Sequence, residues 1–409
     1  MLENIIINGT YTKDFEAVRN VFEENFKTKS EIGAAVTVFF RGEMVIDLWA
    51  GYADYKNKIL WNADTKSVVF STTKGMCALC LAILHSKGYL DYDEKISTYW
   101  PEFAVNGKKD ITVRQFLAHQ AGLCALDKRL SYDILINPAE LSNILATQKL
   151  RWKTGDYQGY HAWTMAMYLN EILKRVDPKH REIADFFEDE IAKPLGLNSS
   201  IGLKKGDTEE NIAQLIPFYP TEFISKNNSE DWFKIVSGFA NPFSLWFKTL
   251  LNPPFSMNLK NFNKTKYRQL PLGSAMGIFS ARDLAIIYNE TLKNPSKLGL
   301  TPSTLSLLEE KEQEPKIKKR DIVLDIEIPF SLGFAKSGEF QKFGLDNRAF
   351  GSFGAGGSGA IVDPASQISY AYVMNKMGTH LANDPRERAL REAIFSCVKK
   401  IKIESSTIY

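Results

Sequence analysis

Residues 70–85, Phe70-Ser71-Thr72-Thr73-Lys74-Gly75-Met76-Cys77-Ala78-Leu79-Cys80-Leu81-Ala82-Ile83-Leu84-His85, constrain the fold of this chain more than any other stretch. From 76 to 84 every side chain is apolar, so a helix here has no face to give to water and must be buried on all sides. Gly88, just past the run, supplies a C-terminal stop. Ser71 and Lys74 stand three residues apart at the start and share one face. A serine hydroxyl is a weak nucleophile until a base takes its proton. Burial makes a lysine such a base, because desolvation disfavours the ammonium form. The bland alternative, an N-cap serine beside a surface lysine, fits an amphipathic helix better than this apolar one.

A chain of 409 residues has ample material for one large domain or two intermixed ones. A net charge of +3 is small for that size, which argues against a nucleic-acid or membrane partner recruited by bulk electrostatics. The acidic run at 309–312 and the basic cluster Lys316-Ile317-Lys318-Lys319-Arg320 read as a solvated connection. The first eight residues show no basic segment followed by an apolar core, and the four cysteines (Cys77, Cys80, Cys124, Cys397) fit a reducing compartment. The expected location is therefore the cytoplasm. Cys77 and Cys80 form a C-x-x-C inside the apolar helix and read as small core residues, not as a redox or zinc pair. No metal or cofactor is expected.

Taken in order, residues 12–28 have helical spacing, and 34–40 with 43–49 read as a hairpin turning at Arg41-Gly42. Residues 112–119 form a short capped helix in which His119 reads as a structural hydrogen-bonder. From 138 to 195 the pattern is helical, broken by Gly155 and Gly159. Residues 217–257 are rich in aromatics, which either pack a core or line an apolar pocket. A helix capped at Ser280 follows, then candidate strands at 330–335, 359–363 and 368–375, and a last helix over 385–400. Strands at both ends of the chain predict an α+β fold: one antiparallel sheet closed by the two termini and flanked by helices. On this reading 1–69 and 270–409 form the sheet region, with 70–269 inserted as a mainly helical region of the same catalytic domain.

Three motifs occur in order: Phe70-Ser71-Thr72-Thr73-Lys74-Gly75, Gly159-Tyr160-His161-Ala162 and Phe350-Gly351-Ser352-Phe353-Gly354-Ala355-Gly356-Gly357-Ser358. With Leu117-Ala118-His119-Gln120-Ala121-Gly122-Leu123 and Asp363-Pro364, they resemble the serine beta-lactamase-like hydrolases, nearest to the family VIII carboxylesterases. The likeness runs over roughly residues 10 to 400 and implies the beta-lactamase/transpeptidase-like fold. It also implies that Ser71 is acylated, that Lys74 helps to deprotonate it, and that Tyr160 is general base and proton relay. The backbone amides of Ser71 and Ala355 would form the oxyanion hole. A phenol near an ammonium is expected to have its phenolate favoured.

Two departures from the family pattern bear on substrate. The tyrosine motif reads Tyr160-His161-Ala162 and lacks the usual asparagine, so His161 is expected to orient the loop or assist proton transfer, and with Ser352, Phe353 and Gly354 it is expected to contact substrate. The third motif reads Ser352-Phe353-Gly354, without the lysine that would pair with a substrate carboxylate. The expected substrate is thus a small-molecule ester or amide, foremost a short-chain or small neutral ester. Beta-lactam, D-amino peptide or transesterase chemistry, or a non-catalytic scaffold, are the alternatives. Lys153-Thr154-Gly155 reads as a coincidental turn. Ser358, in Gly356-Gly357-Ser358-Gly359-Ala360, is a competing nucleophile that runs into a strand where an elbow needs a helix. Tyr157 is the fallback for Tyr160.

Overall fold

The structure, a computed structural model, describes residues 5–218 and 241–406. Its frame is an eight-stranded antiparallel sheet drawn from both ends of the chain. The strands are β1 (Ile7–Tyr11), β2 (Gly33–Phe40), β3 (Glu43–Asp54), β4 (Ile59–Leu60), β8 (Ala335–Lys336), β9 (Phe350–Phe353), β10 (Gly359–Asp363) and β11 (Ile368–Met374). They run in the order β1-β3-β2-β11-β10-β9-β8, with β4 paired to β3. The β2–β3 hairpin turns where expected, because Arg41 and Gly42 both take positive φ (53° and 81°), the geometry that follows strand twist. Strand alternation sorts the sheet's two faces. Ile361, Tyr370, Tyr372 and Met374 pack with α1 (Glu16–Thr28) and the C-terminal helix Pro385–Ser406. Ala360, Val362, Ala371 and Val373 face the larger core, which includes Leu284, Ile287 and Tyr288 of the helix Ala281–Lys293.

The helix α2 (Thr73–Ser86) runs through that core, and its residues 73–84 are all buried. It ends where Gly88 was expected to stop it. Gly88 sits at φ 75° and donates to the His85 carbonyl, while Tyr89 donates to the Leu84 carbonyl; together these close a Schellman cap. Between α2 and the helix Thr164–Val176 lie the short capped helix Val113–Leu117 and the helix Pro138–Thr147. A three-stranded sheet joins β5 (Ser67–Val68), β7 (Gly277–Phe279) and β6 (Ser200–Ile201), taking strands from both sides of the expected region boundaries.

Two expectations are corrected. Residues 330–335 do not form a strand: Phe330 bridges Ala335 across a tight turn in which Gly333 has φ 88°, and only Ala335–Lys336 joins the sheet. The charged run at 316–320 is more than a solvated connection. Its side chains are exposed, but the Lys316 and Ile317 N–H groups donate to the carbonyls of Gly155 and Asp156 at 2.9 and 3.0 Å. In the aromatic stretch, Tyr219, Phe223, Trp232, Phe233 and Phe239 lie outside the described residues.

The Gly88 cap yields a prediction about stability alone. No atom lies within 4 Å of a β-carbon built there, so Gly88→Ala meets only the left-handed backbone penalty. Urea unfolding should show a loss of about 1–2 kcal/mol.

Candidate active site

Phe70, at φ 47°, makes a strained turn that delivers Ser71 to the start of α2. Lys74, one turn on, is 3% exposed. Its Nζ lies 2.9 Å from Ser71 Oγ, 2.7 Å from the Ala162 carbonyl and 3.0 Å from the Ser274 carbonyl. Burial lowers its pKa to about 7. In the neutral amine the two carbonyls hold the two N–H groups, and the lone pair is left facing Ser71. The Ser274 hydroxyl ties these supports together, donating to the Trp163 carbonyl at 2.7 Å and accepting from the Ala166 N–H at 3.0 Å.

The Tyr160 hydroxyl faces Ser71, and its ring centroid is 4.9 Å from Lys74 Nζ. The phenol does not follow the sequence expectation. Burial raises its pKa, the contact with Ser71 only offsets this in part, and the Asp321 charge adds to the rise. The phenol therefore stays protonated near neutrality, and the lysine is the group poised to change state.

His119 and His161 brace the loop. The Gly159 N–H donates to the His119 carbonyl at 3.0 Å, the His161 N–H donates to His119 Nδ1 at 3.1 Å, and the Leu123 N–H donates to His161 Nε2 at 3.3 Å. Burial pushes the His161 pKa down to about 3 and that of His119 well below the ordinary range, so both rings are neutral. His161 lies behind Tyr160 and does not line the cavity, whereas His119 does. Tyr157, the fallback tyrosine, also lies off the cavity, and its backbone bridges Lys318. Lys153-Thr154-Gly155 forms a turn with Gly155 at φ 83°.

Opposite Ser71 comes the turn that follows β9. Gly354 is needed there, since a β-carbon would lie 2.2 Å from the Val69 carbonyl and 2.3 Å from Ser358 Oγ. Ser358 is a staple: its hydroxyl donates to the Val69 carbonyl at 2.7 Å and sits 3.0 Å from Thr72 Oγ1. Those partners bind the third motif to the nucleophile turn and give Ser358 no base. Ala355 lies in this turn, not on an edge strand, and faces the cavity with Ser71, Ser352 and Phe353. Ser352 Oγ faces the buried Tyr288 hydroxyl, where other relatives of the fold were expected to hold a cation.

Ser71, Lys74 and Tyr160 open into a cavity of about 520 Å³. Phe70, Trp163, Trp246, Leu250 and Phe262 form one wall; Leu324, Ile328 and Phe330 form another. The described part of the aromatic stretch thus divides its work, with Trp246 in the cavity wall, Phe255 in the core and Phe243 exposed. The sequence reading missed the second wall and Asp321, because neither carries a local motif. The four cysteines are buried and unpaired, and no described helix is long and apolar enough to cross a membrane.

Comparison with known proteins agrees with this geometry. Residues 18–394 match the family model described as Beta-lactamase. The chain belongs to the beta-lactamase family. It is 27% identical over 372 residues to the esterase/beta-lactamase LipL of Mycobacterium tuberculosis, covering 90% of this chain and 83% of LipL. A crystal structure of a family VIII carboxylesterase superposes with TM-score 0.81 at 28% identity, covering 96% of this chain and 100% of that one. A penicillin-binding protein homologue from Caulobacter crescentus matches with TM-score 0.81 at 32% identity, over 96% and 100% of the two chains. The expected superfamily, fold and serine hydrolase class are borne out.

The buried amine has a thermodynamic consequence. A lysine pKa lowered in the folded state means that the unfolded chain binds more protons between about pH 7 and the ordinary lysine range, so native stability rises with pH there. Lys74→Met removes that linkage. Melting curves should show the variant gaining most over the native protein below pH 7, with the gain shrinking as pH rises toward 10.

Proposed function

We propose that the protein is a carboxylesterase for small neutral esters, working through an acyl-enzyme on Ser71. The observation that carries this reading is the Lys74 amine, 2.9 Å from Ser71 Oγ, with its other directions taken by two backbone carbonyls. Lys74 takes the Ser71 proton as Oγ attacks the ester carbonyl. The Ser71 and Ala355 backbone amides donate to the oxyanion that forms. Tyr160, protonated at rest, passes a proton to the departing alkoxide and is resupplied by the ammonium of Lys74. Water then attacks the acyl carbon, its proton passing through Tyr160 to Lys74, and Lys74 returns a proton to Ser71 Oγ as the acyl–oxygen bond breaks and the acid leaves.

The apolar walls and the serine at position 352 favour a neutral substrate over a carboxylate-bearing one. The 32% identical penicillin-binding homologue supports a second reading, in which the same serine opens a beta-lactam at a lower rate. Four unpaired thiols support a reducing, cytoplasmic location.

Turnover of p-nitrophenyl acetate and butyrate, followed by intact mass, tests the assignment. An acyl adduct and a burst are expected in the native protein and in Ser358→Ala, and neither in Ser71→Ala. Tyr160→Phe should lose about 10²–10⁴-fold in kcat. Turnover undiminished in Ser71→Ala would end this reading. Because the base must be neutral, kcat/KM should fall about tenfold per pH unit below the Lys74 pKa of about 7. A profile flat from pH 8 to 5 would remove Lys74 as the base.

A further inference from the structure

The Gly159 and His161 N–H groups are pinned by His119, and the Tyr160 N–H between them faces a residue no motif contains. That residue is Asp321, which is fully buried. Its carboxylate accepts from the Val323 and Leu324 N–H groups at 2.9 Å each and from the Gln158 amide at 3.4 Å, and it faces the Tyr160 backbone N–H. Gln158 is held in turn, its side-chain amide donating to the Ile328 carbonyl and its backbone carbonyl accepting from the Ile322 N–H, both at 2.9 Å. Tyr157 bridges Lys318, so the tyrosine loop and residues 316–322 run side by side. Asp321 does not line the cavity, although Leu324 does.

We propose that Asp321 is a positioning residue for Tyr160: it fixes the backbone from which the phenol reaches Ser71 and acts only through that loop. The geometry suits the role. A buried carboxylate held by neutral N–H donors alone is costly to form, and burial pushes its pKa up to about 6. A surface turn needs no such group. Besides its hydrogen-bond donors, the titratable groups that sense its charge are Tyr160 and Cys124, both raised by it. This proposal rests on the reading of Tyr160 as the proton relay.

A double-mutant cycle on the full chain separates positioning from general support. Asp321→Asn keeps the shape but turns an amide NH2 toward N–H donors. With p-nitrophenyl butyrate, Asp321→Asn should lower kcat about 10- to 100-fold and leave KM within about threefold. In the Tyr160→Phe background the same change should cost less than about twofold, because the group it serves is gone. Equal losses in both backgrounds, or native kcat in Asp321→Asn, would overturn the proposal. Should melting show Asp321→Asn unfolded at the assay temperature, Gln158→Met, which removes one donor to the carboxylate, is read in the same cycle with the same two outcomes. Ser71→Ala and Tyr160→Phe controls keep the failures apart. Full turnover in either ends the underlying reading, while additive losses with Ser71→Ala inactive and Tyr160→Phe slowed but measurable end the Asp321 assignment alone.

Discussion

A lysine amine held dry at the foot of an apolar helix is the constraint on which this structure depends. Desolvation favours the neutral form, and a neutral amine has only two protons to place. The carbonyls of Ala162 and Ser274 take them, and the remaining direction is Ser71. Those carbonyls lie far apart in sequence, so the fold must bring three distant segments to one atom. The Ser274 hydroxyl, bound to Trp163 and Ala166, locks two of them to each other. The apolar run 76–84 of α2 serves this end, since it buries the helix on all sides and helps to keep Nζ from water.

The other half of the site depends on close approach. Phe70 accepts a left-handed backbone, Gly354 gives up its side chain, and Ser358 bonds across the gap to Val69 and Thr72. Behind that turn stands Arg386, which donates to the Gly356 carbonyl at 2.6 Å. Arg386 is buried and paired with Asp384 at 3.0 Å and Glu31 at 3.1 Å, while Tyr372 donates to Glu31. A buried charge cluster adds little net stability, but breaking it leaves an unpaired ion, and that penalty holds the geometry in place. The loop beside Ser71 is thereby anchored to the sheet's far face, through strand β11 and the C-terminal helix.

Most of this frame could be read from the chain because it is written in local periods. The hairpin showed in an alternation broken by Arg41-Gly42, α2 in a continuous apolar run with Gly88 after it, and the Thr112 and Ser280 caps in single residues whose side chains do accept the expected N–H groups. What could not be read depends on partners distant in sequence. Residues 330–335 have strand composition, yet Gly333 bends them into a turn. The run at 316–320 looked solvated because its side chains are solvated; its backbone pairing with residues 155–156 leaves no mark on composition. Asp321 resembles any loop aspartate until the Tyr160 N–H, some 160 residues away in the chain, is found against it. The phenolate expectation failed for a related reason. It counted the nearby lysine charge and omitted burial, which removes that charge and raises the phenol together.

This protonation pattern is what a dry ester site requires. An ammonium–phenolate pair at rest would place two ions in an apolar cavity and leave each partly unsatisfied. A neutral amine beside a neutral phenol carries no such cost. On the proposed mechanism charge appears only when Ser71 attacks, as ammonium and oxyanion together, with the Ser71 and Ala355 backbone amides as donors to the oxyanion. A phenol with a raised pKa keeps its proton until a stronger base is present, and the departing alkoxide is such a base. On the proposed mechanism Tyr160 then acts late, in the direction the reaction runs, provided that its position is fixed before charge develops. The residue that fixes it need not touch the substrate, and the second wall of the cavity comes from the same segment. On the proposed reading residues 321–330 thus join the placement of Tyr160 to the shape of the cavity that would take the ester.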